Sequence, residues 1–208
     1  MSGGEAGGNP AGGKEELRGR RRAAVEQALQ ESIEVKRDTL ASLAPQVAEA
    51  AGMAAEALSA GGKLLICGNG GSAADAQHMA CELVVRFARE GRALPALALS
   101  TDTSVLTARA NDHEFDSVFS RQVEALGRPG DLLLAISTSG NSPNITQAAK
   151  RAGEWGLKVV GLTGEGGGEL AGLCDICLKV PSSSTPRIQE AHIAIIHAIC
   201  AIIEDELR

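Results

Sequence analysis

The chain has 208 residues, 44% of them hydrophobic and 22% charged, a balance that suits one globular domain with a buried core and excludes a wholly disordered chain. A formal net charge of −6 disfavours nucleic acid and anionic lipid as partners, and aromatics at 2% with no Tyr leave few stacking platforms for single-stranded nucleic acid. Neither a signal-peptide core at the start nor an uninterrupted apolar run of about 18 residues is seen, so a cytoplasmic protein without membrane contact is expected.

Residues 1–13 are rich in Gly and carry little to bury, and read as a flexible tail. Across residues 14–60, Leu17, Val25, Leu29, Ile33, Leu40, Leu43 and Val47 recur at helical intervals around a single Pro45, predicting two helices or one long kinked helix. The basic run Arg18, Arg20, Arg21 and Arg22 reads as a solvated helix face. From residue 61 to 208 the pattern changes to short apolar runs at 63–67, 96–99, 132–136, 158–162 and 176–180, each followed by a polar loop and helical sequence. Continuous apolar strands alternating with helices indicate an α/β three-layer sandwich around a parallel sheet, whose ligands sit at the carboxyl ends of the strands.

Two of those loops carry chemistry. Gly68-Asn69-Gly70-Gly71-Ser72 follows the first strand and opens a helix expected over 73–89, and its glycines let backbone amides approach a sugar or phosphate oxygen, with Ser72 available as a cap. It has neither the Lys of a Walker loop nor the acidic residue of a dinucleotide fold. Ser137-Thr138-Ser139-Gly140-Asn141-Ser142-Pro143 follows the third strand, and its hydroxyls with the amides of the next helix make a neutral phosphate cradle.

Within the first helix of this region, His78 and Glu82 are spaced i to i+4 and share one face, where they are able to hold a metal or a substrate. The apolar last helix, expected over 187–204, carries Gln189, Glu190, His192 and His197, and spacing alone does not decide which histidine faces a site. Asn111-Asp112 either contacts sugar hydroxyls or caps the helix that follows. The five cysteines read as reduced buried thiols, and Cys174-Asp-Ile-Cys177, lacking a second pair or a nearby His, is assigned no function.

Cys67 to Ser72, Gln77-His78 with Glu82, Asn111-Asp112, Ile136 to Ser142, and Arg187 to His192 with His197 together resemble the sugar isomerase (SIS) domain family, and within it the branch acting on seven-carbon sugar phosphates. The resemblance runs from about Lys63 to the C-terminus, with a compatible helical lead-in from Glu15. It implies a single SIS domain with a five-stranded, flavodoxin-like parallel sheet, and N-terminal helices used to assemble a homotetramer with active sites at subunit interfaces. It implies substrate contacts from Asn69, Gly70, Gly71, Ser72, Glu82, Asn111, Asp112, Ser137, Thr138, Ser139, Ser142 and Gln189, with the hydroxyl-rich loop taking the phosphate. It further implies one zinc ion per subunit on His78, Glu82, Gln189 and His197, with Glu82 and His197 as the acid/base pair and His192 non-ligating. Pro186 departs from the pattern, standing where some members carry an Asp that approaches the sugar.

The expected activity is therefore an aldose–ketose isomerisation of sedoheptulose 7-phosphate to glycero-manno-heptose 7-phosphate, feeding envelope polysaccharide. A non-enzymatic relative that associates with the bacterial replication initiator is the chief alternative, but such relatives lack the acid/base residues that Glu82 and His197 match here. Another phosphosugar as substrate is the second. A sugar-sensing regulator would require a DNA-reading module, which the acidic charge and the apolar N-terminal helices do not suggest.

Overall fold

A computed structural model describes residues 10–208, with side chains from residue 14. The tail expected over 1–13 thus lies outside the described residues as far as residue 9, and its remaining positions already belong to the opening helix, α1 (Pro10–Ser59). Of the two arrangements expected for this region, the chain adopts a single helix. It is rich in Ala, Glu, Arg, Leu and Gln, which lose little freedom in a helix, and Pro45 removes one backbone donor without ending it. Its second half is buried through Leu43, Val47, Ala50, Ala51, Ala54, Ala55 and Leu58. Its apolar positions before Leu43 are not: Leu29 is 61% and Leu40 69% exposed, and Leu17, Val25 and Ile33 are uncovered as well.

The sheet contains β1 (Leu64–Gly68), β2 (Ala96–Ala98), β3 (Leu132–Ile136), β4 (Lys158–Gly164) and β5 (Ile176–Val180), all parallel in the order β2-β1-β3-β4-β5. Strand periodicity sends alternate residues to opposite faces. Leu64, Ile66, Leu132, Leu134 and Ile136 pack under α1, α2 (Gly71–Val84) and α6 (Thr185–Leu207). Leu65, Cys67, Leu133 and Ala135 pack under α4 (Ser120–Leu126) and α5 (Pro143–Glu154), with part of α3 (Thr103–Asp112). Three layers result, as expected. By length and composition α6 is apolar enough to cross a bilayer, yet Ile188, Ala191, Ile195, Ile196, Ile199 and Ile203 belong to the core.

Because β1 lies between β2 and β3, the winding direction of the chain reverses there, and the crevice at the carboxyl ends of β1 and β3 is the switch point where α/β sheets bind ligands. Gly68 pairs with Ile136 at the ends of the two strands, so the Gly-rich and hydroxyl-rich loops emerge side by side. The helix after the first loop ends at Val84, short of the expected Arg89. The buried carboxylate of Glu204 on α6 accepts the amides of Phe87, Ala88 and Arg89 at 2.9–3.1 Å, taking the place of the helix carbonyls those donors would otherwise need.

Candidate active site

The two loops are fastened to each other. Asn69 Nδ2 donates to Asn144 Oδ1 at 2.8 Å, and Asn144 Nδ2 donates back to Asn69 Oδ1 at 2.9 Å, a closed amide pair spanning the crevice. Asn69, expected to touch substrate, is thereby engaged with its neighbour loop. Gly70, with φ of +55°, caps α2 with no side-chain bond, so Ser72 is not the cap; it sits buried in the first turn.

In the second loop the Ser137 and Ser142 hydroxyls face each other at 3.0 Å, and Ser137 Oγ also accepts the Gly140 amide at 3.1 Å. Ser139 is exposed and Thr138 half-buried, and Ser142 stands at the N-cap of α5 without bonding back to it, with Pro143 at the first helical position. The helix start therefore offers amides that no side chain has claimed, next to hydroxyl O–H groups able to donate, which suits an anion. Gly140 has φ of +69° and lies directly against the Gly167 carbonyl, so any side chain there would collide.

Parallel packing of α2 and α6 brings the next group together. His78 Nε2 lies 2.8 Å from His197 Nε2 and 3.3 Å from Glu82 Oε1, with the ring of Phe87 against His197 at 5.5 Å. One imidazole nitrogen must carry a proton for the other to accept it, so the pair shares a proton beside a carboxylate. The face is open: the His78 side chain is 44% exposed, that of Glu82 18%.

Comparison with known proteins bears on this arrangement. Residues 28–164 match the SIS domain family. The phosphoheptose isomerase of Rhodospirillum rubrum is 56% identical over 168 residues, 81% of this chain and 89% of that protein. The chain belongs to the phosphoheptose isomerase family. Among solved structures, a phosphoheptose isomerase from Neisseria gonorrhoeae superposes with a TM-score of 0.83 at 48% identity, covering 89% of this chain and 98% of that one. One from Francisella tularensis does so with a TM-score of 0.86 at 40% identity and the same coverage. Phosphoheptose isomerases are aldose–ketose isomerases, and this member of the family is an enzyme of that class.

The residues expected from the family pattern are not all in one place. Gln189 lies at the start of α6 with its amide over Gly71, where a methyl carbon would come within 2.6 Å of its Nε2. It stands two helical turns, about 12 Å of helix rise, before His197. Asn111 and Asp112 form the exposed end of α3, bonded to each other at 2.9 Å, and cap nothing; α3 packs on the sheet face opposite α2 and α6. His192 is fully buried, its Nε2 donating to the Thr163 carbonyl at 3.1 Å, which removes it from the site. Pro186 falls in the first turn of α6.

Donor chemistry at His78, Glu82 and His197 fits zinc, two imidazole nitrogens and a carboxylate oxygen on one surface. Among the described residues, however, no group of three or more His, Cys, Asp or Glu is spaced as a ready metal site. The two imidazole nitrogens lie 2.8 Å apart. On one tetrahedral zinc they would lie roughly 3.3 Å apart, so a small opening of the pair is required.

Two features escaped sequence reasoning. Asp75, one turn before His78 on the same face, has a buried Oδ2 without a partner, and desolvation raises its carboxyl above the usual range against the pull of His78. Its i, i+3, i+7 spacing with His78 and Glu82 was the available signal. The run Ser182 to Thr185 adds hydroxyls between β5 and α6, and its signal was the same as that of the 137–142 loop.

Proposed function

We propose that the chain interconverts sedoheptulose 7-phosphate and D-glycero-D-manno-heptose 7-phosphate, holding the phosphate on the Ser137–Ser142 loop and moving protons with Glu82 and His197. The observation that supports this most is the contact of a carboxylate and two imidazoles on helices whose starts flank the hydroxyl-rich crevice. A group that takes the proton from C1 of the ketose gives an enediol, and its return at C2 gives the aldose. The second group carries the hydroxyl proton from O1 to O2, so atoms and charge balance with either assignment of the two roles. The α5 N-terminus and the Ser137, Ser139 and Ser142 hydroxyls orient the substrate from its far end.

Zinc is the proposed metal, held by His78, Glu82 and His197 with Gln189 joining by a swing of its side chain off Gly71; when bound it would polarise the sugar oxygens. A homotetramer is the proposed assembly, supported by the uncovered apolar stripe of α1 and by the open face around His78, which a neighbouring subunit would shield from water. We place the reaction in the cytoplasm, with neither nucleic acid nor membrane as partner, on the acidic charge of the chain. A non-enzymatic role is opposed by the presence of all three proton-carrying groups in contact.

Incubation of the zinc-supplied protein with sedoheptulose 7-phosphate, followed by NMR, is the test. An aldose anomeric signal is expected; conversion of a different phosphosugar alone would move the substrate assignment, and conversion of none would remove the activity.

A further inference from the structure

Cys174 and Cys177 stand outside the machinery described above, where the chain leaves the turn Glu169–Leu173 and enters β5. Cys177 pairs in register with Gly161 of β4, and the missing side chain of Gly161 leaves a hollow into which both sulfurs turn. A methyl carbon at Gly161 would lie 2.6 Å from the Cys174 sulfur and 3.5 Å from the Cys177 sulfur. Both cysteines are half-buried, whereas Cys67 and Cys200 are enclosed in the core, where desolvation pushes their thiols up to about 12. The Cys174 S–H donates to the Leu170 carbonyl at 3.1 Å, and Cys177 Sγ lies 3.6 Å from Thr163 Oγ1. The neighbouring Cys174, with Thr163 and the charge of Lys179, holds the Cys177 thiol below its ordinary range, while Cys177 and burial push Cys174 up.

Short chains of contacts join both cysteines to the hydroxyl-rich loop. Leu170, which accepts from Cys174, donates its own N–H to the Gly140 carbonyl at 3.0 Å, and Glu169 N–H donates to Asn141 Oδ1 at 2.9 Å. On the other side, Thr163 is followed by Gly164, whose N–H donates to the Thr138 carbonyl at 2.9 Å. The close seat of Gly140 on Gly167 leaves this contact no slack.

We propose that Cys174 and Cys177 form a redox-responsive dithiol that closes to an intramolecular disulfide by exchange with a low-molecular-weight disulfide, and in closing loosens the Ser137–Ser142 loop. The Cys177 thiolate attacks one sulfur of the reagent, forming a mixed disulfide and expelling one thiolate. Cys174 gives its proton to solvent, attacks the Cys177 sulfur and expels the second thiolate. The two protein thiols lose two electrons as the reagent disulfide gains them and becomes two thiols. Closure removes the S–H that Leu170 accepts and draws Cys177 from Thr163. The effect on the loop rests on the phosphate-binding reading given above; the dithiol chemistry does not.

The full chain, equilibrated with oxidised and reduced glutathione over a range of ratios, is alkylated and digested with trypsin. The peptide 159–179, which holds both cysteines, is expected to lose the mass of two hydrogen atoms, escape alkylation, and recover on treatment with dithiothreitol. Affinity for inorganic phosphate, measured by calorimetry, is expected to fall severalfold on oxidation and to stay constant in Cys174→Ser, which cannot close but keeps a donor to Leu170. Only mixed disulfides, or no oxidation at any ratio, would overturn the dithiol. A disulfide that leaves phosphate affinity unchanged would overturn the coupling to the loop. Phosphate as the probe keeps either failure distinct from a wrong choice of sugar substrate.

Discussion

His192 shows how burial decides what a histidine does. It faces β4 in the core, and desolvation holds its imidazole down to about 4 against an ordinary 6.5, with the bond to Thr163 opposing. The unfolded chain binds this proton more readily than the folded one, so stability is highest above 6.5 and is lost as pH falls toward about 4, by at most roughly 3 kcal/mol. His192→Gln keeps a donor for Thr163 but cannot titrate. Chemical denaturation at stepped pH is expected to show a shallower acid loss in that variant than in the parent, with turnover unchanged at neutral pH; equal slopes would remove His192 as the cause. Sequence spacing left open which histidine of α6 meets α2, since His192 and His197 differ by little more than a turn and only the direction of packing separates them.

At the level of elements, the strands were legible because burial on both faces writes them as unbroken apolar runs, and β3 and β5 fall where those runs do. Helix ends were less so. The early stop of α2 depends on Glu204, more than a hundred residues away in the chain, which no local pattern records. The Asn69–Asn144 pair is likewise invisible until the sheet order sets β1 beside β3. Each amide satisfies the other inside the crevice, so removing one strands its partner at a cost of about 1–3 kcal/mol. Asn69→Ala and Asn144→Ala are each expected to destabilise by that amount and to weaken substrate binding, while the double variant costs clearly less than their sum. Additive effects in denaturant melts would show that the pair does not join the loops.

For the whole molecule, the feature that one copy of the chain leaves unexplained is the apolar stripe of α1. Periodicity made the stripe legible, but not that the domain would cover only Leu43 and Val47 of the seven positions expected. Beside it, α1 and α6 form an apolar groove of about 330 Å³ lined by Leu40, Val47, Ala191, Ala194, Ile195 and Ile202. Burying a leucine is worth roughly 1.5–3 kcal/mol, so several on each subunit would drive the proposed association. If the proposed tetramer forms through this stripe, Leu29→Glu with Leu40→Glu is expected to lower the mass seen by light scattering below that of a tetramer and to reduce turnover, because the proposed neighbour no longer shields the face around His78. A variant that keeps the parental mass would show that this stripe is not the interface.

The reading of the whole protein turns on Glu82. Glu82 lies 3.3 Å from His78 Nε2, itself 2.8 Å from His197, and is the proposed group that trades a proton with the sugar; Glu82→Gln keeps its shape but cannot exchange a proton. The decisive measurement is the turnover number of Glu82→Gln on sedoheptulose 7-phosphate, followed by NMR beside the parent, with phosphate affinity checked to confirm an intact site. A loss of about a hundredfold or more, with phosphate binding retained, is the predicted result; near-parental turnover would contradict the account.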